Sequence, residues 1–377
     1  MLYILEVTMI YLNNAASSHP KPPEVAQAVF QAVSETPHSG ARGGMGGDSA
    51  FQCRELLCKL FNAPPERFFF TSGATESFNM IIRGLDLHRV VVTAADHNAV
   101  LRPLYMLLPE EAILVAPCSK DGIVTAEALE RAVSPDTDAV FVNHCSNVTG
   151  AIQDLRAARE IAKRNGVLFI VDAAQSAGLI SIDLTALDID ILVFTGHKNL
   201  FGPAGIGGFY LRDGVKLNAS KFGGTGTEGD SVKPNATEMF EVGTPNAPGI
   251  AGLAAGLSFV LTEGVQSLGA KVETQIEKIV TTLSLLPNVK VYAPESAPRG
   301  GTVGFTIDSL SPADIAYILL HSYDIEIRAG HQCAPLFTKG VCLPDGLSRV
   351  SVSAMTPDAD IEAFLSAVTE LASGVAR

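Results

Sequence analysis

The stretch from Val167 to Lys198, VLFIVDAAQSAGLISIDLTALDIDILVFTGHK, constrains the fold more than any other part of the chain. It contains two unbroken apolar runs, Val167–Val171 and Ile189–Phe194, and each stops abruptly in polar residues. An apolar run without polar alternation suits a strand buried on both faces, as in a parallel sheet covered by helices. The first run ends in Asp172 and Gln175, the second in Thr195, Gly196, His197 and Lys198. Ligands of open α/β sheets sit outside the carboxyl ends of the strands. An acid and a lysine at two such ends are therefore placed to face one bound molecule.

The rest of the chain continues the alternation. Apolar periodicity through Val25, Val29 and Val33 predicts a helix that stops before Pro37, and a second helix is expected over 49–62. Strands are expected at Arg67–Phe70, Val90–Thr93 and Ala139–Val142, and a helix at 154–165. Between the first two helices, SGARGGMGGD (39–48) is too rich in glycine for regular structure. Strand–helix alternation of this kind argues for an α/β fold with a parallel, helix-covered sheet. After Lys198 the texture changes: residues 202–248 hold fourteen glycines and prolines and read as loops around a site or interface. Helical periodicity returns over Ile250–Leu261 and Gln266–Leu286. The remainder alternates strands (Val289–Tyr292, Thr302–Ile307, Glu326–Arg328, Arg349–Ser353) with helices at 312–322 and 357–373, as in a smaller α+β domain.

With 377 residues, 47% of them hydrophobic and 18% charged, the chain is a globular one with two domains as the natural division. Its net charge of −13 argues against nucleic acid or an anionic membrane as a partner, because both select a basic face. No run is long enough to span a bilayer, and the apolar N-terminus lacks the basic region of a signal peptide, with Met9 an alternative start. The six cysteines (53, 58, 118, 145, 333 and 342) have no paired CxxC spacing. That favours reduced thiols in a cytoplasmic protein over a disulfide framework or a metal site.

Three features carry chemistry. TSGATESFN (71–79) joins a strand through small residues to a helix that opens near Ala74 and Thr75. This is either a phosphate cradle of helix N–H groups or an ordinary end capped by Thr75 or Ser72. Lys198, behind a buried strand and Gly196, is able to form a Schiff base with an aldehyde. Asp172 either caps a helix or holds the proton on a pyridine nitrogen. Taken together, Lys198 and Asp172 point to pyridoxal 5'-phosphate. His97, at the end of another strand, either stacks on that ring or is simply packed.

Several further segments extend this pattern: IYLNNAASS, DHNAVLRP (96–103), NHCSNVTG (143–150), VDAAQS, FTGHK, FEVGTPN (240–246) and IRAGHQCAPL (327–336). In this order and spacing the chain resembles the class V aminotransferase family, and within it the group II cysteine desulfurases and selenocysteine lyases, over nearly its whole length. The resemblance implies a large domain with a mainly parallel seven-stranded sheet (21–260) and a smaller α+β domain (261–377), with residues 1–20 packing on the latter. It implies that Lys198 is the Schiff-base lysine and moves the Cα proton, that Asp172 pairs with the ring nitrogen, and that His97 stacks on the ring. Asn147 and Gln175 would meet the phenolic-oxygen side of the ring, and Ala74, Thr75, Thr195 and His197 the phosphate. Thr244 would reach the phosphate in the site of a second subunit, so a homodimer with shared sites is implied. Arg349, with Arg328 and Asn147, would bind the substrate, L-cysteine or L-selenocysteine.

Cys333 decides the reaction. In the family the cysteine of RxGHxC attacks the substrate sulfur, leaving alanine and a persulfide for a sulfur-acceptor protein, and Arg328 and His331 are placed to favour its thiolate. Selenocysteine lysis, β-elimination and transamination use the same lysine and aspartate and are the competing readings. Two departures from the family pattern stand out. Asn13 replaces the usual Asp and is expected to loosen the mouth of the site, and Ala354-Met355 replaces a Tyr-Asn or Phe-Asn pair. Cys342 is a second candidate thiol. A GxGxxG match at 224–229 lacks the strand before it and the helix after it that a dinucleotide site needs.

Overall fold

The structure is a computed structural model that describes residues 9–35, 48–224, 232, 239–296 and 298–375. Most of the glycine-rich segment 39–48, the GxGxxG match beyond Gly224 and residues 1–8 lie outside the described residues. Thirteen strands are described: β1 Ile10–Tyr11, β2 Phe68–Thr71, β3 Val90–Thr93, β4 Ile113–Ala116, β5 Ala139–Asn143, β6 Leu168–Asp172, β7 Ile191–Thr195, β8 Gly207–Leu211, β9 Val289–Tyr292, β10 Thr302–Ile307, β11 Ile325–Glu326, β12 Arg328–Gly330 and β13 Leu347–Ser351. The helices are α1 Pro23–Ser34, α2 Asp48–Phe61, α3 Ala74–Gly84, α4 Asn98–Leu107, α5 Ala126–Ala132, α6 Leu155–Asn165, α7 Ala247–Glu263, α8 Val265–Ser284, α9 Pro312–Tyr323, α10 Pro335–Gly340 and α11 Asp358–Val375.

Seven strands form the main sheet in the order β2-β8-β7-β6-β5-β3-β4, and only β8 runs against the rest. The unbroken apolar runs have a direct cause here. Along β6, Phe169 and Val171 enter one core with Phe194, Leu192 and Leu253, while Ile170 enters another with Phe141, Val193 and Phe209. Alternate side chains thus feed two cores on opposite faces, so no position is left for a polar residue. The strands β12-β13-β10-β9 form a second, antiparallel sheet backed by a third core that includes Val303, Phe305, Val350 and Phe364.

Four details differ from the sequence expectation. β8 lies inside 202–248, where loops were expected, and it is a central strand rather than an edge. Its glycines exist because the space is filled. A Cβ on Gly208 would stand 2.2 Å from the Phe69 carbonyl oxygen, and one on Gly207 would stand 2.7 Å from Gly73 Cα. The expected strand Glu326–Arg328 is two short strands in different sheets, because β11 pairs with β1 and β12 pairs with β13. β13 begins two residues before Arg349, which places that arginine inside the strand. Val33 is exposed, so it is Val25 that seats α1.

Candidate active site

The carboxyl ends of β5, β6 and β7 open into a cavity of about 350 Å³. Ala74, Thr75, His97, Asn147, Asp172, Gln175, Thr195, His197, Lys198, Arg328 and Arg349 all line it, so eleven of the expected site residues meet there. Thr244 does not. It is exposed and borders a neighbouring cleft with Phe240, Glu241 and Lys221, which shares Ser72, Glu76 and Gly205 with the first cavity.

Lys198 sits in the connection 196–206 between β7 and β8. Because these strands are antiparallel, Thr195 and Gly207 are paired, and both ends of that connection are rooted at one place in the sheet. Inside it, Gly196 N donates to Ile206 O (2.9 Å), Gly202 N to Gly196 O (2.8 Å) and Phe201 N to Lys198 O (2.9 Å). The N-terminal segment clamps the loop from outside. The His197 carbonyl accepts from Ser18 N (3.0 Å), Ser17 Oγ (3.2 Å), Ser18 Oγ (3.2 Å) and Lys21 Nζ (3.1 Å). Burial pulls Lys198 down to about 8, and Arg349 and Arg328 add to this while Asp172 opposes it. A lysine with that value holds a useful fraction of neutral, nucleophilic amine near pH 7.

Asp172 closes β6 and is 4% exposed, and its Oδ1 accepts from Ala174 N at 2.8 Å. Burial raises its pKa, against the opposing effects of that hydrogen bond and of Lys198. His97 is the N-cap of α4, with Nδ1 accepting from Ala99 N at 3.0 Å. That bond leaves any ring proton of the neutral form on Nε2, and burial together with Lys198 pushes the ring down to about 3. A neutral imidazole with a fixed tautomer is suited to lie on an aromatic face. His97 is both a cap and a wall of the cavity.

The start of α3 bears on the cradle question. Gly73, not Ser72 or Thr75, is the N-cap, and no side chain caps the helix. Glu76 reaches back to Ser72 N (2.7 Å), which leaves the first-turn N–H groups facing the cavity without a side-chain acceptor. Such an end, with Thr195 and His197 beside it, fits a phosphate. The donor set therefore matches pyridoxal 5'-phosphate: a phosphate cradle, a buried acid and a buried amine around one space.

The wall opposite comes from the antiparallel sheet. Arg328 and Arg349 are paired across β12 and β13. Arg328 Nη2 donates to Cys333 Sγ at 2.9 Å, whereas His331, the other expected neighbour, bonds Thr338 Oγ1 through Nδ1. Gln332 and Cys333 both adopt left-handed backbone (φ 52° and 59°), which a non-glycine residue holds only when its surroundings fix it. They do so here. Gln332 Nε2 donates to the carbonyls of Arg328, Gly330 and Leu347. Asn147 Nδ2 donates to Gln332 O (2.6 Å) and Asn98 N to Cys333 O (2.8 Å). Gln175 is likewise engaged, donating to Ala15 O at 2.9 Å. Cys342 is exposed at the end of α10 and is not part of the cavity lining.

Sequence reasoning missed Gln332 as the residue that shapes the Cys333 loop, although its place beside the motif cysteine was a usable signal. Asn13 meets the arginine of the cavity wall: its Oδ1 accepts from Arg349 Nη2 at 2.7 Å, across 336 positions of sequence.

The sequence profile of the family described as Aminotransferase class-V matches residues 10–364. The chain belongs to the class V aminotransferase family. It is similar to a probable cysteine desulfurase of Halalkalibacterium halodurans, with 30% identity over 86% of this chain and 84% of that protein. It is also 30% identical to a probable cysteine desulfurase of Methanothermobacter thermautotrophicus, over 96% of this chain and 94% of that one. Among solved structures, the apo cysteine desulfurase of Thermococcus onnurineus NA1 superposes with a TM-score of 0.87 at 29% identity, covering 97% of this chain and 95% of that one.

Proposed function

We propose that this chain is a pyridoxal-phosphate-dependent cysteine desulfurase that converts L-cysteine to L-alanine and leaves the sulfur as a persulfide on Cys333. The observation that carries the reading is the position of Cys333. Its sulfur lies 2.9 Å from a guanidinium that lines the same cavity as Lys198. The cofactor, when bound, supplies an aldehyde carbon for the amine and a ring that draws off electron density.

The residues divide the remaining work. Asp172 holds the ring nitrogen, α3 with Thr195 and His197 the phosphate, and His97 one face of the ring. Lys198 moves the proton at the substrate Cα, for which an amine near pH 8 is well matched. Arg349 holds the α-carboxylate. The Cys333 sulfur, held by the hydrogen bond from Arg328, attacks the substrate sulfur and gives up its proton. The Cβ–S bond breaks as the S–S bond forms, and the electron pair left toward Cβ is taken up by a proton to give alanine. Cys333→Ser is expected to abolish sulfide and persulfide formation while the visible cofactor band stays. Native-rate desulfuration by that variant would overturn the reading, as would a keto acid or pyruvate in place of alanine.

The exposed position of Thr244, beside the cavity rather than in it, supports a homodimer in which it serves the partner site. A fully active monomer in sedimentation would contradict that. The persulfide then passes to an acceptor, which is read as a protein thiol because the route ends at a half-exposed cysteine. A cytoplasmic setting is supported by six free cysteines and by the absence, among the described residues, of any single helix long and apolar enough to cross a membrane. Fractionation that placed the protein outside the cytoplasm would reject it.

A further inference from the structure

The clamp on the His197 carbonyl holds more than hydrogen bonding requires. A carbonyl oxygen has two lone pairs, and Ser18 N (3.0 Å) and Ser17 Oγ (3.2 Å) are enough to fill them. Ser18 Oγ has its shorter bond to Lys198 O, at 2.8 Å. Lys21 Nζ nevertheless lies 3.1 Å from the same His197 oxygen, and its other partner is Ser18 Oγ at 3.0 Å. What the ammonium adds to this set of neutral donors is charge.

That charge has no counterpart. Lys21 is half-buried, and no ion pair among the described residues includes it. Burial lowers it to about 8, so it is still mainly a cation at pH 7. A half-buried cation without an anion is costly until one arrives.

The cradle on the other side of residue 197 has the opposite shortage. The groups that face a phosphate there are the first-turn N–H groups of α3, Thr195 and His197. All are neutral at pH 7, because burial, Lys198 and Lys21 together hold the His197 ring down to about 4. The charged side chain of that first turn is an acid, Glu76, and Lys221 already pairs with it. Arg328 and Arg349 stand on the opposite wall. A phosphate monoester carries between one and two negative charges at pH 7, which neutral donors orient but do not balance. His197 joins the two places, since its carbonyl holds the ammonium and its residue lines the cavity.

We infer that Lys21 is a positioning residue that supplies, from behind His197, the counter-charge for the phosphate of pyridoxal 5'-phosphate. The inference rests on the reading of α3, Thr195 and His197 as the phosphate cradle. It divides the work in two: neutral donors in the cavity lining shape the phosphate site, and a cation outside that lining balances its charge.

The test titrates the full-length apo protein with cofactor, read by absorbance. Lys21→Gln keeps a donor for the His197 carbonyl and removes the charge. Its Kd for pyridoxal 5'-phosphate rises about tenfold, the effect of one unit charge several Å away in a partly screened site. Pyridoxal, which has the same ring and aldehyde but no phosphate, binds within about twofold of wild type. Lys21→Arg restores the charge and keeps Kd for pyridoxal 5'-phosphate within about twofold. Thr195→Val probes the cradle itself and is expected to weaken pyridoxal 5'-phosphate but not pyridoxal. If it does so while Lys21→Gln binds pyridoxal 5'-phosphate as wild type does, the inference fails and the cradle stands. If neither variant alters that Kd, both fail. Equal weakening of pyridoxal 5'-phosphate and pyridoxal in Lys21→Gln would mark a merely structural clamp and overturn the inference. A loss in Lys21→Arg as large as in Lys21→Gln would do the same.

Discussion

The two walls of the cavity are built on different principles. On one side, Asp172 and Lys198 stand at the ends of β6 and β7, strands whose every residue but Leu168 is buried. Their positions follow from apolar packing on both faces of the sheet. On the other side, Arg328 and Arg349, and Cys333 bonded to the first of them, depend on polar contacts: one glutamine amide bonded to three carbonyls, one asparagine donating to the Gln332 carbonyl, and another accepting from a guanidinium. Apolar packing spreads its task over many contacts, none of which carries it alone. Polar scaffolds concentrate the same task in a few bonds. The wall proposed to hold the cofactor is therefore robust, and the wall proposed to choose the reaction is adjustable by single side chains.

The comparison makes quantitative demands. Lys198→Ala removes the group on which both halves of the chemistry converge. It is expected to lower turnover by about 10²–10⁴-fold and to shift the visible cofactor band, read by steady-state assay and absorbance. An unchanged band would break the assignment of the packed wall.

Next comes pH. The amine of Lys198 in the apo protein is held near 8, so its neutral, reactive form is the minor one at pH 7 and the major one at pH 9. Capture of pyridoxal 5'-phosphate should accelerate about tenfold over that interval and then level off, in stopped-flow absorbance. A rise that continues as for a lysine near 10.5 would mean that burial does not act on it.

The smallest expected effect lies on the polar wall. Gln332→Ala removes three hydrogen bonds from the Cys333 loop and should cut sulfide release about three- to tenfold, leaving the cofactor spectrum and alanine binding intact. A shifted spectrum would show that the two walls are not separable.

Legibility in the sequence divides along the same line. The strands that carry Asp172 and Lys198 can be read because burial on both faces leaves an unmistakable apolar run. β8 could not be read, since close backbone approach demanded glycines at 207 and 208, and glycine looks like a loop. Nor did local pattern reveal that Ile325–Gly330 is shared between two sheets, because that depends on partners far along the chain, Tyr11 and Arg349 among them. The family motifs identified Cys333 and Arg349, but the hydrogen bonds that hold them link Asn13, Asn98 and Asn147 to distant segments. Hydrogen bonds across hundreds of residues leave no periodicity to detect.

The reversed direction of β8 has a consequence for the timing of free-energy costs. Because Thr195 and Gly207 pair at one end of the sheet, residues 196–206 form a closed loop as soon as those strands zip together. The loss of chain freedom that fixes Lys198 belongs to folding, before any cofactor arrives. Binding then has only the free lysine side chain to order, so the backbone of the apo protein already stands as the finished receptacle.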